Sequence, residues 1–122
     1  MTTNLAIERQ GPVGLVTLNR PDRHNAFDDA LIAELTEALR SMEAEDGIRC
    51  VVLSSVGKSF SSGADLNWMR RVAGASQGEN KRDAMALAAL MRTLSELRKP
   101  TIARVQGPAY GGGVGLIACC DV

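Results

Sequence analysis

Apolar residues alternate with polar ones at the start of the chain and later recur at helical spacing, and this change of period lays out the elements. Residues 4–9 and 13–18 read as two short strands around Gln10-Gly11-Pro12, a turn signal. The polar stretch 19–25 forms a loop. Asp28 or Asp29 then caps a helix whose apolar residues, Leu31, Leu35, Ala38, Leu39 and Met42, share one face, and Gly47 marks its stop. Residues 50–53, Cys-Val-Val-Leu, are a continuous apolar run, the pattern of a strand covered on both faces. Small polar residues follow over 54–65, then a short helix over 66–71. The stretch 73–79 is small, polar and Gly-containing, which predicts a mobile connection. A longer helix opens at Asn80 or Lys81, buries Leu87, Leu90, Met91, Leu94 and Leu97, and ends before Pro100. Residues 101–105 give another buried strand, 107–113 a glycine-rich turn and 113–120 a buried helix of small and apolar residues, with Asp121-Val122 as the first step of a further strand.

Strands, helix, strand, helices, strand, helix is an α/β order with buried parallel pairing. At 122 residues the chain has the length of one domain, and its apolar and charged fractions, 45% and 23%, are those of a soluble globular protein. Basic and acidic residues both number 14, so the basic surplus that nucleic acid or an anionic membrane would require is absent. No apolar run approaches the roughly 20 residues of a bilayer span. The start, Met1-Thr2-Thr3 onward, lacks a basic segment followed by an apolar one, so no secretory leader is expected. The cysteines, Cys50, Cys119 and Cys120, are odd in number and lack metal spacing. They point to buried thiols in a reducing cytoplasm rather than to disulfides or a metal site.

Two loops carry the candidate chemistry: Phe60-Ser-Ser-Gly-Ala-Asp-Leu66 and Gln106-Gly-Pro-Ala-Tyr-Gly-Gly-Gly113. Each follows a buried strand and opens a helix, the position where α/β sheets bind ligands. Glycine lets a ligand approach main-chain N–H groups, and the free N–H groups of a helix start add partial positive charge. One N–H from each loop could converge on a single oxygen and stabilise developing negative charge by about a few kcal/mol per donor. The alternative is that the glycines only make tight strand-to-helix turns.

In order and spacing, Val16-Thr-Leu-Asn-Arg-Pro-Asp-Arg-His-Asn-Ala26, Phe60 to Asp65 and Lys99 to Gly113 resemble the signature loops of the enoyl-CoA hydratase/isomerase (crotonase) superfamily over the whole chain. The resemblance implies a spiral of ββα turns, of which residues 1–122 are the N-terminal part of a single domain, truncated before its C-terminal part. It implies an acyl-CoA substrate whose thioester carbonyl is held by the N–H groups of Ala64 and Gly112. It also implies that the backbone near Arg23, His24 and Ala26, and from Ser62 and Gly63 through Asp65 to Leu66, follows the coenzyme A moiety. No separate cofactor is implied, coenzyme A being part of the substrate, and the family suggests a homo-oligomer, trimer or hexamer. Asp65 is equally a helix N-cap; Trp68 and Met69 line an acyl pocket or pack in the core; Tyr110 faces the acyl chain or is a turn aromatic. His24 is the lone histidine, with no acid placed to orient it.

Hydration of an enoyl thioester needs a carboxyl to move protons. Related hydratases carry a glutamate three residues after the second oxyanion glycine, and here that residue is Gly115. The expectation is therefore a single glutamate beyond Val122, and a 122-residue chain that is inactive by itself. Residues 63–71 with 111–116 most resemble hydratases of branched, carboxylated glutaconyl-type esters. A double-bond isomerase, decarboxylase or thioester hydrolase would use the same oxyanion hole, and a non-catalytic acyl-CoA-binding fragment would lack the acid. The spacing of Gly107, Gly111 and Gly113 does not match a dinucleotide fingerprint, and no base accompanies Ser59, Ser61 or Ser62 other than His24.

Overall fold

The computed structural model describes residues 4–122; Met1-Thr2-Thr3, on which the reading of the amino terminus partly rests, lie outside the described residues. Strands β1 (Leu5–Gln10) and β2 (Val13–Leu18) form the antiparallel hairpin expected around Gly11. β2 then pairs in parallel with β3 (Cys50–Ser55), and β3 with β4 (Thr101–Ala103), giving one sheet in the order β1-β2-β3-β4. Helices α1 (Asp29–Ala44), α2 (Leu66–Ala73), α3 (Gln77–Ser95) and α4 (Gly112–Cys119) complete the chain. Leu31, Leu35, Leu39 and Met42 of α1 pack with Val16, Leu18, Val51 and Leu53 of the sheet in one core, joined by Leu90 and Leu94 of α3 and Leu116 of α4.

Short extended segments form a second, smaller layer. Phe27 pairs in parallel with Ala64, and Ser61 with Ala109. Each parallel strand of the main sheet is thus followed by a short paired segment and then a helix: β2, Phe27, α1; β3, Ser61 to Ala64, α2; β4, Ala109, α4. That repeat is the ββα spiral. Its consequence for function is that every strand-to-helix loop lands on the same side, next to its neighbour.

Four expectations need correction, the first being that α4 is a buried helix: it buries only Gly113 and Leu116, and Val114 is exposed. β3 is buried on one face only: Val51 and Leu53 are enclosed, whereas Cys50 and Val52 are half-buried. Alternate side chains point to opposite faces, and the buried set lies on the face that joins the core built with α1, α3 and α4. α3 starts at Gln77, not at Asn80 or Lys81, so residues 77–79 of the supposed mobile connection are its first turn and only Gly74, Ala75 and Ser76 link it to α2. Ser76 caps it, its Oγ accepting the Glu79 N–H at 3.1 Å and donating to the Glu79 carboxylate at 3.0 Å. Ser-x-x-Glu is a helix-start signal, and it outweighs the poor helix propensity of Gly78. β4 stops at Ala103, since the Arg104 N–H still reaches the Leu53 carbonyl at 2.9 Å but Val105 turns out to solvent. On the other side of β4, Val122 exchanges hydrogen bonds with Thr101 and Ala103 at 3.1 and 2.8 Å, as the first step of a strand would.

Candidate functional site

The loop after β2 is built by two residues with distant partners. Asn25 is fully buried in the left-handed region at φ 56°, which Asn tolerates better than most residues. Its Oδ1 accepts the Arg20 N–H at 2.8 Å, and its Nδ2 donates to the carbonyls of Val56 and Ser59 at 2.7 and 2.9 Å. Arg20 fills the other half of the loop. Its guanidinium donates to the Ala26 carbonyl at 2.6 Å and pairs with Asp28 at 3.5 Å and Asp65 at 3.2 Å. Asp28 and Asp65 are the N-caps of α1 and α2. One arginine therefore ties two helix starts to one loop.

Against this loop lie the two glycine-containing loops. The Phe27 N–H donates to Gly63 and the Asp65 N–H to Phe27, so the intervening Ala64 N–H points away from the pairing. On its far side is the second loop, joined by the Tyr110 N–H to the Ser61 carbonyl at 3.0 Å. Gly111, at φ 52° and ψ −122°, occupies the first central position of a tight turn closed by the Gly113 N–H on the Tyr110 carbonyl at 2.9 Å. This is the mirror-image type II geometry that favours glycine there. It turns the Gly112 N–H, the first of α4, out of the turn. Gly63, at φ 91°, lies so close that a methyl group on it would be 3.6 Å from the Gly112 nitrogen. Among the described residues neither the Ala64 N–H nor the Gly112 N–H has a hydrogen-bond acceptor. Two N–H groups without acceptors thus lie on neighbouring loops, one of them at the start of a helix, where the partial positive charge favours an acceptor.

Beside Ala64 is an open cavity of about 340 Å³ lined by Arg23, His24, Ala26, Ser62, Ala64, Asp65, Leu66, Asn67 and Arg70. Asp65 is less a free ligand than a cornerstone of it. Its Oδ1 accepts the N–H groups of Asn67 and Trp68 at 2.8 and 3.1 Å, and its Oδ2 faces Arg20 and Arg23 at 3.2 and 3.3 Å. Burial alone would push its carboxyl up, but the Trp68 and Asn67 N–H groups and the charges of Arg20 and Arg23 outweigh it and hold the carboxyl below the usual 3.8. A carboxyl lowered on folding contributes stability in full above its unfolded value, lost as pH falls through the folded one. Acid titration of the urea midpoint should therefore show a loss beginning below about 3.8 that is smaller in Asp65→Asn; equal acid sensitivity of the two would contradict this role.

A family model described as enoyl-CoA hydratase/isomerase matches residues 8–122. The chain belongs to this family. An enoyl-CoA hydratase structure from Shewanella pealeana superposes with a TM-score of 0.96 at 42% identity, covering 98% of this chain and 45% of that one. The 4-chlorobenzoyl coenzyme A dehalogenase-1 of Arthrobacter is 33% identical over 98% of this chain and 44% of its own length. The 1,2-epoxyphenylacetyl-CoA isomerase of Escherichia coli is 38% identical over 88% of this chain and 41% of its own length. The chain thus spans less than half the length of these relatives.

For an enoyl-CoA hydratase/isomerase chain, the fold brings most of the expected residues together. Arg23, His24, Ala26, Ser62, Ala64, Asp65 and Leu66 share the cavity, with Gly63 and Gly112 adjoining. Trp68 lies on the other side of α2, 8% exposed, lining a separate apolar cleft with Met69. Tyr110 is a largely exposed turn residue, and His24 Nδ1 lies 3.0 Å from the Ser59 hydroxyl. Burial pushes the Cys120 thiol up to about 11, so it is no nucleophile near neutral pH. Among the described residues no group of His, Cys, Asp and Glu is placed to hold a metal ion, and no helix is long and apolar enough to cross a membrane. The sequence reading missed Arg20 and Asn25, which build the site, and Asn67 and Arg70, which line it on the same helix face as Leu66.

Proposed function

We propose that this chain is the oxygen-binding part of an enoyl-CoA hydratase. In this reading the N–H groups of Ala64 and Gly112 hold the carbonyl oxygen of an α,β-unsaturated CoA thioester and stabilise the enolate that forms as water adds across the double bond. The pair of unaccepted N–H groups on adjacent strand-to-helix loops carries the proposal. A preorganised donor of this kind is worth about 2.7–4 kcal/mol of barrier. The coenzyme A portion takes the cavity beside Ala64, along the backbone of Arg23, His24 and Ala26 and of Ser62 to Leu66, where Arg23 and Arg70 supply positive charge. No cofactor beyond the substrate's own coenzyme A enters the reading, which places the protein in the cytoplasm as a homo-oligomer.

The proton-moving half is a different matter. Gly115 of α4 has no side chain, and the Met91 methyl lies 3.0 Å from where one would begin. A thioether cannot activate water. We therefore expect binding without efficient turnover from residues 1–122 by themselves. Calorimetric titration with crotonyl-CoA and with free coenzyme A tests the first point: the thioester should bind about tenfold tighter or more, and equal affinities would end the reading. Hydration followed by loss of enoyl absorbance tests the second, turnover at the rate of whole hydratases being the contrary result. The isomerase relative supports a second reading with the same oxygen site, distinguished by a shifted double bond and no added water.

A further inference from the structure

The three strand-to-helix loops meet at one side chain. Ser61 is fully buried, and its hydroxyl donates to the Asn25 carbonyl at 3.0 Å while accepting the Gly63 N–H at 3.1 Å. Its own carbonyl accepts the Tyr110 N–H at 3.0 Å. Gly113 packs so closely that a methyl group on it would lie 2.7 Å from the Ser61 carbonyl oxygen and 2.9 Å from the Ser61 Cβ. One residue is therefore tied to the buried Asn25 turn, to the glycine just before Ala64 and to the tyrosine two places before Gly112. Enclosed, and with its proton already given to a carbonyl, the hydroxyl is not placed to attack a substrate. What it can do is hold. An alanine there would leave the Gly63 N–H and the Asn25 carbonyl without these partners at a buried position, where an unmade bond is costly.

We infer that Ser61 is a positioning residue whose hydroxyl fixes the Ala64 amide in place relative to the Gly112 amide, so that both reach one thioester oxygen. The inference rests on the thioester reading above. Ser61 acts through its neighbours and touches no reacting atom. On one side its hydroxyl holds the Gly63 N–H, and Gly63 leads directly into Ala64. On the other its carbonyl holds the Tyr110 N–H, and the Tyr110 carbonyl closes the turn that aims Gly112. The Asn25 bond anchors this pair of links to a turn that is itself buried. Donors of this kind act by being fixed before the ligand arrives, and a misplacement of about 1 Å can cost a site about 100-fold in rate.

The test is infrared difference spectroscopy of crotonyl-CoA, isotope-labelled at the thioester carbonyl, bound to the full chain and to Ser61→Ala and Ser61→Cys. Calorimetric titration and thermal unfolding are run on the same samples. Hydrogen bonds to a carbonyl oxygen weaken its double bond, so the bound carbonyl should absorb below the free one. In Ser61→Ala the band should move back towards the free position. The preference for crotonyl-CoA over free coenzyme A should drop about threefold or more, with the affinity for free coenzyme A unchanged. Ser61→Cys keeps a weaker donor and acceptor and should fall between the two. A lower unfolding temperature with band and preference unmoved would make Ser61 a structural residue only and overturns the inference. If Ser61→Ala does not fold, Ser61→Cys decides by the same two readouts. If the unaltered chain shows neither a shifted band nor a preference, it is the thioester reading that fails.

Discussion

Gly63→Ala should lose most of the roughly tenfold preference for a thioester over free coenzyme A, whose own affinity changes far less. The added methyl would lie 2.9 Å from the Tyr110 carbonyl oxygen, which accepts the Gly113 N–H and so closes the turn that aims the Gly112 amide. That oxygen is backbone and cannot rotate away. The residue would also have to sit at φ 91°, a region that side chains other than hydrogen strongly resist. One substitution thus disturbs both proposed donors; loss of a single donor in such sites costs a factor of about 100 to 1,000 in kcat, and less in binding of the ground-state carbonyl, which carries less charge. Backbone strain adds about 1–3 kcal/mol of destabilisation, so thermal unfolding should be measured beside calorimetric binding. A variant that is less stable yet discriminates crotonyl-CoA from coenzyme A as before would show that the two amides do not serve the thioester.

The loops were legible because their signal is local. A buried strand followed by small residues, glycine and a helix start lies within one stretch of chain, and Phe60 to Leu66 and Gln106 to Gly113 both have it. Asp65 was legible as either cap or ligand, and its bonds from the Asn67 and Trp68 N–H groups make it the cap of α2. What escaped the sequence is what depends on distant partners. Asn25 reaches carbonyls 31 and 34 residues away, and Arg20 reaches a carboxylate 45 residues away. Nothing near either residue marks it out from a solvated loop side chain. The two-sided burial assigned to β3 failed for a related reason. Val52 and Leu53 are both apolar, and only the placement of the helices on one face of the sheet decides which is enclosed.

The start of α3 failed differently, because the signal was there. Ser76 and Glu79 form a capping pair, while Gln77 and Gly78 lower the apparent propensity of the first turn. A local side-chain bond outweighed composition.

Arg20→Ala should cost about 3–5 kcal/mol of folding stability, the range for removing one partner of a buried ion pair. The arginine side chain is 11% exposed and Asp65 is 6% exposed, so the carboxylate left behind cannot simply hydrate. Arg23 remains near it at 3.3 Å, but it is half in solvent and does not reach Asp28. The loss is large against the 5–15 kcal/mol typical of a whole domain, and it is concentrated where β2 hands over to α1 and α2. Arg20→Lys keeps the charge but not the planar fork that spans the Ala26 carbonyl and two carboxylates, so it should recover only part. The decisive comparison is Arg20→Met with Asp65→Asn, singly and together, by urea unfolding. If Arg20 acts through Asp65, the double substitution costs less than the sum of the two single ones, because no buried charge is left alone. Strict additivity would mean that Arg20 only fills space, and the two helix starts would then be aligned by packing rather than by charge.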